Sequence, residues 1–263
     1  MGRSLIRDYV DSLRHPEFWI YATWLVLVTK YRRSRLGLLW ALVPPALYAF
    51  GIGWFFATLV GVSPRELVPH MGMGYVVFRL VTASLNEATT VFTGHASFIL
   101  DGRVRLTDYV LRVIGGGVFY FVLSIPVLVV AFSISATFDP WGLLLVPFSV
   151  LLVLLNLAWM GVVVGVIGAR IPDVHQLIGS ILMFSFLFTP ILWFAEQAPI
   201  NSLRGGIARV NPLFHLVEIV RAPLLGNPIE PTTFVYLAGF LVFGWILAAL
   251  VYRRYARFVP IWI

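Results

Sequence analysis

The sequence predicts an all-α polytopic membrane protein. Six transmembrane helices are expected, with an N-terminal amphipathic helix at the interface and re-entrant external helices between spans five and six. Three observations carry that expectation. Hydrophobic residues fill 60% of the 263 positions and charged residues only 12%, about half the charged share of a soluble domain. Apolar windows of about 20 residues, the length that crosses a hydrocarbon core about 30 Å thick, recur near 38–60, 70–92, 109–133, 142–168, 176–195 and 233–252. Four cations from Lys30 to Arg35 run directly into the first of these windows, as at a membrane helix pinned at its cytoplasmic end.

The elements follow in order within one domain, 1–263. Residues 1–35 form the cytoplasmic interface segment. Its Phe18–Val28 run is too short to cross. The preceding stretch sets Leu5, Ile6, Tyr9 and Leu13 on one face, the pattern of a helix lying in the membrane plane, and Trp19, Tyr21 and Trp24 suit that depth. Pro44-Pro45 in span one and Pro126 in span three are expected to kink their helices, and Gly115-Gly116-Gly117 permits close helix contact. Segment 196–232 is too apolar for a solvated loop. Within it Asn211-Pro212 reads as an N-cap followed by proline in the first turn, opening a helix through Val220 that breaks at Pro223. Such a segment dips back into the outer leaflet if it packs on protein or lines a cavity.

Charge gives orientation and excludes functions. The net charge of +7 gathers on the side of Arg3, Arg7, Arg14, Lys30, Arg32, Arg33, Arg35, Arg103, Arg105, Arg112, Arg170, Arg253, Arg254 and Arg257. The other side holds Arg65, Arg204, Arg209 and Arg221. Both termini are therefore expected in the cytoplasm, and the basicity reflects topology, not nucleic-acid binding. Cysteine is absent, so thiolate chemistry is excluded. The first apolar run is followed by cations and not by a small-residue cleavage site, so no signal peptide is read. The only lysine, Lys30, precedes Tyr31 and stands in no Gly-x-x-x-x-Gly-Lys-Ser/Thr loop, so any ATP and magnesium must be bound by a separate subunit. No metal site is expected, because His215 with Glu218 gives too few ligands.

Three stretches together resemble the type-2 ABC transporter permeases, in particular the membrane subunits of O-antigen, teichoic-acid and capsule exporters. The first is Lys30-Tyr31-Arg32-Arg33-Ser34-Arg35-Leu36-Gly37-Leu38-Leu39-Trp40. The second is Ala169-Arg170-Ile171-Pro172-Asp173-Val174-His175-Gln176-Leu177, followed by Phe188-Thr189-Pro190-Ile191-Leu192-Trp193. The third is Asn211-Pro212-Leu213-Phe214-His215-Leu216-Val217-Glu218-Ile219-Val220-Arg221. Leu25 and Val26 stand where the family usually carries a basic and acidic pair. The resemblance implies a multi-pass protein of the bacterial inner membrane that exports lipid-linked polysaccharide, with a polyprenyl-diphosphate carrier entering from the cytoplasmic leaflet. Six spans are too few to enclose a polymer conduit, so a homodimer is expected, with two ABC ATPase subunits beneath it. The rivals are a type-2 permease for drugs or small lipids, an integral-membrane lipid-linked glycosyltransferase and a secondary transporter. The 12 acidic residues form no paired cluster for the enzyme, and Glu87 is the only carboxylate clearly inside a span.

At about 100° per residue, Tyr75, Arg79, Thr82, Asn86, Thr90 and Thr93 share one face of span two. A charge near mid-membrane costs about 2.5–3.5 kcal/mol on insertion scales, so Arg79 should face protein or water. The stripe lines the translocation pathway or packs against a neighbouring helix. Tyr48 and Phe55 in span one and Phe184 and Phe188 in span five are candidate pathway rings, since sugars stack on aromatic faces, against the alternative of lipid contact. The resemblance makes the Gly94–Arg105 connection, with His95, Asp101 and Arg103, the ATPase coupling surface, together with Arg170 and Asp173, which could equally form a local ion pair. Arg32, Arg33 and Arg35 suit the carrier phosphates or simple anchoring at the membrane surface. His215, Glu218 and Arg221, at i, i+3 and i+6, form either a helix-stabilising set or an external gate.

Overall fold

The computed structural model describes residues 4–32, 34–102 and 104–263, so Arg3, Arg33 and Arg103 lie outside the described residues. Among the described residues every regular element is helical. In order they are α1 (Leu5–Arg14), α2 (Glu17–Tyr31), α3 (Val43–Ala46), α4 (Gly53–Val60), α5 (Pro64–Ala88), α6 (Ala96–Leu100), α7 (Leu106–Leu123) and α8 (Ile125–Ser133). Then come α9 (Val146–Arg170), α10 (Val174–Phe188), α11 (Leu203–Val210), α12 (Pro212–Leu224), α13 (Pro231–Tyr255) and α14 (Val259–Trp262).

Among the described residues four runs are long and apolar enough to cross a membrane: Val43–Val60, Leu106–Ser133, Val146–Arg170 and Pro231–Trp262. Two expected spans are not among them. α5 has the length, but 16 of its 25 residues are buried by other helices. A helix enclosed by protein needs no apolar exterior, which leaves room for His70, Arg79 and Glu87. α10 has only 15 residues and stops at Phe188, short of the expected 195, because Thr189-Pro190 follows and proline cannot donate into the next turn.

The expected kinks have structural form. α7 ends at Leu123 and α8 restarts at Ile125 with Pro126 in its first turn. After Pro44-Pro45, which supply no N–H, Leu47–Ile52 is wound as a π-helix before α4 begins. Gly117 faces α5 so closely that a Cβ there would stand 2.5 Å from Ser84 Oγ. Small residues that let backbones approach are what hold helices together where lipid is as apolar as the side chains.

The N-terminal expectation is corrected in two respects. α1 splits the face assigned to it: Leu5 and Tyr9 are buried while Ile6 and Leu13 are exposed. Tyr9 donates to the Ala158 carbonyl at 2.7 Å, Ser12 and Thr107 share a hydrogen bond of 2.7 Å, and Tyr252 donates to Asp8 at 2.6 Å. α1 is thus docked on α7, α9 and α13. α2 then climbs alongside α7. Phe18 meets Tyr109 edge-on at 5.3 Å, Thr23 donates to the Arg112 carbonyl at 3.2 Å, and Lys30 donates to the Tyr120 hydroxyl at 3.0 Å. Tyr120 lies roughly 21 Å along α7 from Leu106, at about 1.5 Å per residue. Lys30 is therefore carried deep along the bundle and does not mark its boundary.

Between α10 and α13 the chain forms two helices, α11 and α12, and α12 is packed on protein. Asn211 caps α12 by accepting from Leu213 N–H at 3.0 Å, with Pro212 at the first position. Eleven of the 13 residues of α12 are buried, largely against α5, α9 and α13.

Candidate functional site

Three sides of α5 are closed and one is open. Val76, Val77, Phe78, Leu80, Val81, Ser84 and Leu85 are buried, whereas Tyr75, Arg79, Thr82 and Asn86 are half-buried and Thr90 is exposed. The polar stripe is thus the face that the chain leaves uncovered. α5 ends at Ala88, so Thr90 and Thr93 continue it only through the turn beyond the helix. Tyr48, inside the π-helical turn, stacks flat on Tyr75 with ring centroids 3.8 Å apart. Phe186 of α10 meets Tyr48 edge-on at 5.8 Å and Phe78 at 5.3 Å. A π-turn often marks a functional position, and here it brings two of the candidate rings together. The others lie apart. Phe55 is 62% exposed beside Phe56, and Phe184 is 59% exposed on α10. Phe188 borders a separate cavity of about 360 Å³ with Trp193 and Arg204.

Among the described residues no carboxylate pairs with Arg79. Its guanidinium sits 5.4 Å over the Tyr120 ring, and among the described residues Nη1 is buried with no hydrogen-bond partner. Asn86 Oδ1 and Ser84 Oγ are also unpartnered. Glu87, about two turns beyond Arg79, is held instead by Arg112 at 2.8 Å.

At the other end, Arg221 is 1% exposed. It pairs with Glu218, donates to the Pro190 carbonyl and lies 3.0 Å from His70 Nε2. α12 is thereby fastened to α5, and Gly74 makes the space: a Cβ there would stand 2.9 Å from Arg221 Nη1. His215 does not join Glu218. Its Nε2–H donates to the Arg209 carbonyl at 2.8 Å, leaving Nδ1 to accept from Thr233 at 2.9 Å. Arg209 also forms an ion pair with Glu230. That hydrogen-bonded guanidinium, more than any other neighbour, holds the Glu230 carboxyl below its ordinary value.

The candidate coupling residues gather around α1, α6 and α14. Gly94 is exposed, and His95 is half-buried, its ring 5.4 Å from Tyr109; burial pushes its imidazole below the ordinary value. Next to them α6 exposes Phe98 and Leu100, and Asp101 lies in the turn that follows. Arg105 caps α7 with Asp108 and reaches Asp11 of α1 at 3.9 Å. Arg170 and Asp173 form no ion pair; Arg170 lies over Trp262 at 5.2 Å instead. Of the proposed phosphate ligands, Arg32 and Arg35 lie between α2 and the Gly37–Ala41 turn. Sequence reasoning missed the gathering of Lys30, Tyr31 and Arg79 around Tyr120, and the Arg112–Glu87 pair. The lone carboxylate in a span and the lone lysine among 19 cations were the available signals, and Tyr120 gave none.

Residues 17–225 match the ABC-2 type transporter family model. The chain belongs to that family of transporter permeases, which are not themselves catalytic. It is 23% identical over 200 residues to the O-antigen export system permease protein RfbA of Myxococcus xanthus, covering 74% of this chain and 75% of that one. It is 25% identical over 226 residues to a capsule polysaccharide export inner-membrane protein, BexB of Haemophilus influenzae, covering 82% and 81%.

Proposed function

We propose that the chain is the membrane subunit of an ATP-driven exporter of lipid-linked polysaccharide, acting as a homodimer on two ABC ATPase subunits in a bacterial inner membrane. In this reading α5 and α10 also cross, giving six spans per copy. The end that carries α1, α6 and α14 is cytoplasmic, and α11 and α12 form the re-entrant outer segment. The observation that carries the reading is the uncovered face of α5: from Leu67 to Ala88 the helix is buried except along Tyr75, Arg79, Thr82, Ala83, Asn86 and Glu87, with the Tyr48 ring stacked on Tyr75. Polar groups and aromatic faces that bind weakly suit a glycan that must slide. The exposed Phe98 and Leu100 of α6 suit insertion into a groove on the ATPase, and the relatives named for O-antigen and capsule export agree with the cargo class.

The test is surface glycan in a strain deleted for the gene and complemented with variants. Arg79→Gln should abolish surface polysaccharide while the protein stays at normal level in the membrane. Normal surface glycan in the deletion strain would reject the reading and favour a drug or small-lipid cargo.

A further inference from the structure

At the end of α5 away from α6, α11 turns an apolar stripe outward. Leu203, Ile207 and Val210 are exposed, Leu203 by 82%, while Gly205 and Ala208 are buried. Exposed apolar residues at i, i+4 and i+7 of a short helix are the pattern of an element lying in a membrane interface. Beside α11 opens the cavity of about 360 Å³, large enough for a small-molecule site. Leu187, Phe188 and Ile207 give it apolar walls, and Trp193, Gln197 and Arg204 bring its polar groups. Trp193 is held in place by its indole N–H, which donates to the Leu187 carbonyl at 3.2 Å.

The cation in this cavity is uncompensated. Two others at the same end, Arg209 and Arg221, are paired with Glu230 and Glu218. Among the described residues Arg204 has no carboxylate within 4.0 Å, and neither it nor the Gln197 amide has a side-chain hydrogen-bond partner. Glu196, next to Gln197 in the chain, does not line the cavity. A free guanidinium beside a free amide is a donor set for an oxyanion. A second cavity, of about 250 Å³, adjoins the first and shares Trp193 and Gln197 with it; its other walls, Phe56, Val60, Val62 and Leu192 among them, are all apolar. Val60 is also one of the exposed apolar residues of α4, with Phe55 and Leu59. The shared residues join a cationic pocket to an apolar one, so a ligand that reaches both has an anionic head and a hydrocarbon chain. A soluble anion would leave the second cavity empty, and a saccharide would set its hydroxyls against walls whose only polar side chains are the two shared ones.

We propose that the two cavities seat an anionic glycerophospholipid of the outer leaflet, its phosphate on Arg204 and Gln197 and an acyl chain in the apolar pocket past Trp193. A tryptophan suits that depth, and the apolar stem of Arg204 can lie along the cavity wall with its guanidinium at the head-group level. The proposal rests on the reading that places α11 and α12 at the outer face. It concerns a resident membrane lipid that ties α10 to α11, neither the exported cargo nor its carrier.

The experiment counts phosphatidylglycerol bound to the full chain in detergent by native mass spectrometry, without ATPase or glycan. Phosphatidylethanolamine with the same acyl chains, glycerol phosphate and a uronic-acid disaccharide serve as competitors. Arg204→Gln should weaken binding about tenfold, the effect of losing one charge-assisted hydrogen bond, and Arg204→Lys should recover most of it. Val60→Trp, which fills the apolar pocket, should weaken binding severalfold. Arg65→Gln removes an exposed cation at the same end and should leave binding within about twofold, as for a screened surface charge. None of the three competitors should displace the lipid efficiently. Arg204 and Val60 are both exposed, so the variants keep the fold. Unchanged binding in Arg204→Gln or in Val60→Trp, or an equal loss in Arg65→Gln, would overturn the site. Ready displacement by phosphatidylethanolamine would assign the cavities to bulk lipid, by glycerol phosphate to a free anion and by the disaccharide to glycan. A shift from dimer to monomer in Arg204→Gln, with the lipid count unchanged, would assign them to a second copy of the chain. Each of these overturns the proposal. Because neither ATPase nor glycan is present, lipid binding can succeed where polysaccharide export fails, and the reverse.

Discussion

Two arginines inside the helical bundle have opposite surroundings. Arg221 is sealed between α12 and α5, with Glu218, the Pro190 carbonyl and His70 as neighbours. Arg79 stands on the open face of the same α5, over a tyrosine ring and with no carboxylate beside it among the described residues. A buried charge is tolerated when its lone partner and its donors are satisfied, so Arg221 is structural. Leaving a charge half-satisfied in a bundle has a cost that packing does not explain, which points Arg79 toward a ligand or a water-filled path. Arg112 is intermediate: buried itself, it pairs with a Glu87 side chain that is 47% exposed.

The largest effect should come from breaking the sealed pair. Arg221→Met strands Glu218 in a buried setting and should cost about 3–5 kcal/mol, read as a lower unfolding midpoint in detergent. Adding Glu218→Gln should recover part of the loss. A single-variant cost below about 1 kcal/mol would remove the distinction between the two arginines. Gly74→Ala comes next. Its Cβ would press on Arg221 Nη1, and overpacking of this kind costs about 1–3 kcal/mol. In the Arg221→Met background the penalty should shrink, since neighbouring changes are not additive.

Arg79→Gln sharpens the contrast from the other side. Its unfolding midpoint should move by less than about 1 kcal/mol equivalent, in the range of changes away from buried networks, although surface glycan disappears. Unfolding as severe as that of Arg221→Met would mean that the stripe is a packing face.

The smallest effect concerns acid. Glu230 is held below its ordinary value of 4.5 by Arg209, so its stabilising contribution is present above that pH and is lost as pH falls through the lower, folded-state value. Glu230→Gln should therefore flatten the acid limb of the stability curve below about pH 4.5 and leave neutral pH nearly unchanged, as for partly exposed pairs. An unaltered acid limb would show that Arg209 and Glu230 do not hold α11 to the start of α13.

How much of this was legible depends on the range of each interaction. The α5 stripe was legible because helical periodicity is local: residues 75, 79, 82 and 86 share a face whatever surrounds the helix. The Asn211-Pro212 cap and the Glu218–Arg221 pair were local too. The end of α10 was written at Thr189-Pro190, but a hydropathy window averages over a single proline and ran past it. The course of α2 was not legible. Eleven apolar residues were too few for a span, and a helix that climbs along α7 without crossing has the same composition as one lying in the membrane plane.

By itself, then, the sequence determined the helical class, the helix that carries polar groups, the kinks and the family, because each follows from spacing or from matched motifs along the chain. Tertiary structure decided which arginine is sealed and which is open, that His215 turns to Thr233 and not to Glu218, and that Lys30 lies beside Tyr120, 90 residues away. Those outcomes depend on how helices far apart in the chain approach one another, and no local pattern encodes the distance between two side chains that meet only after the bundle has closed.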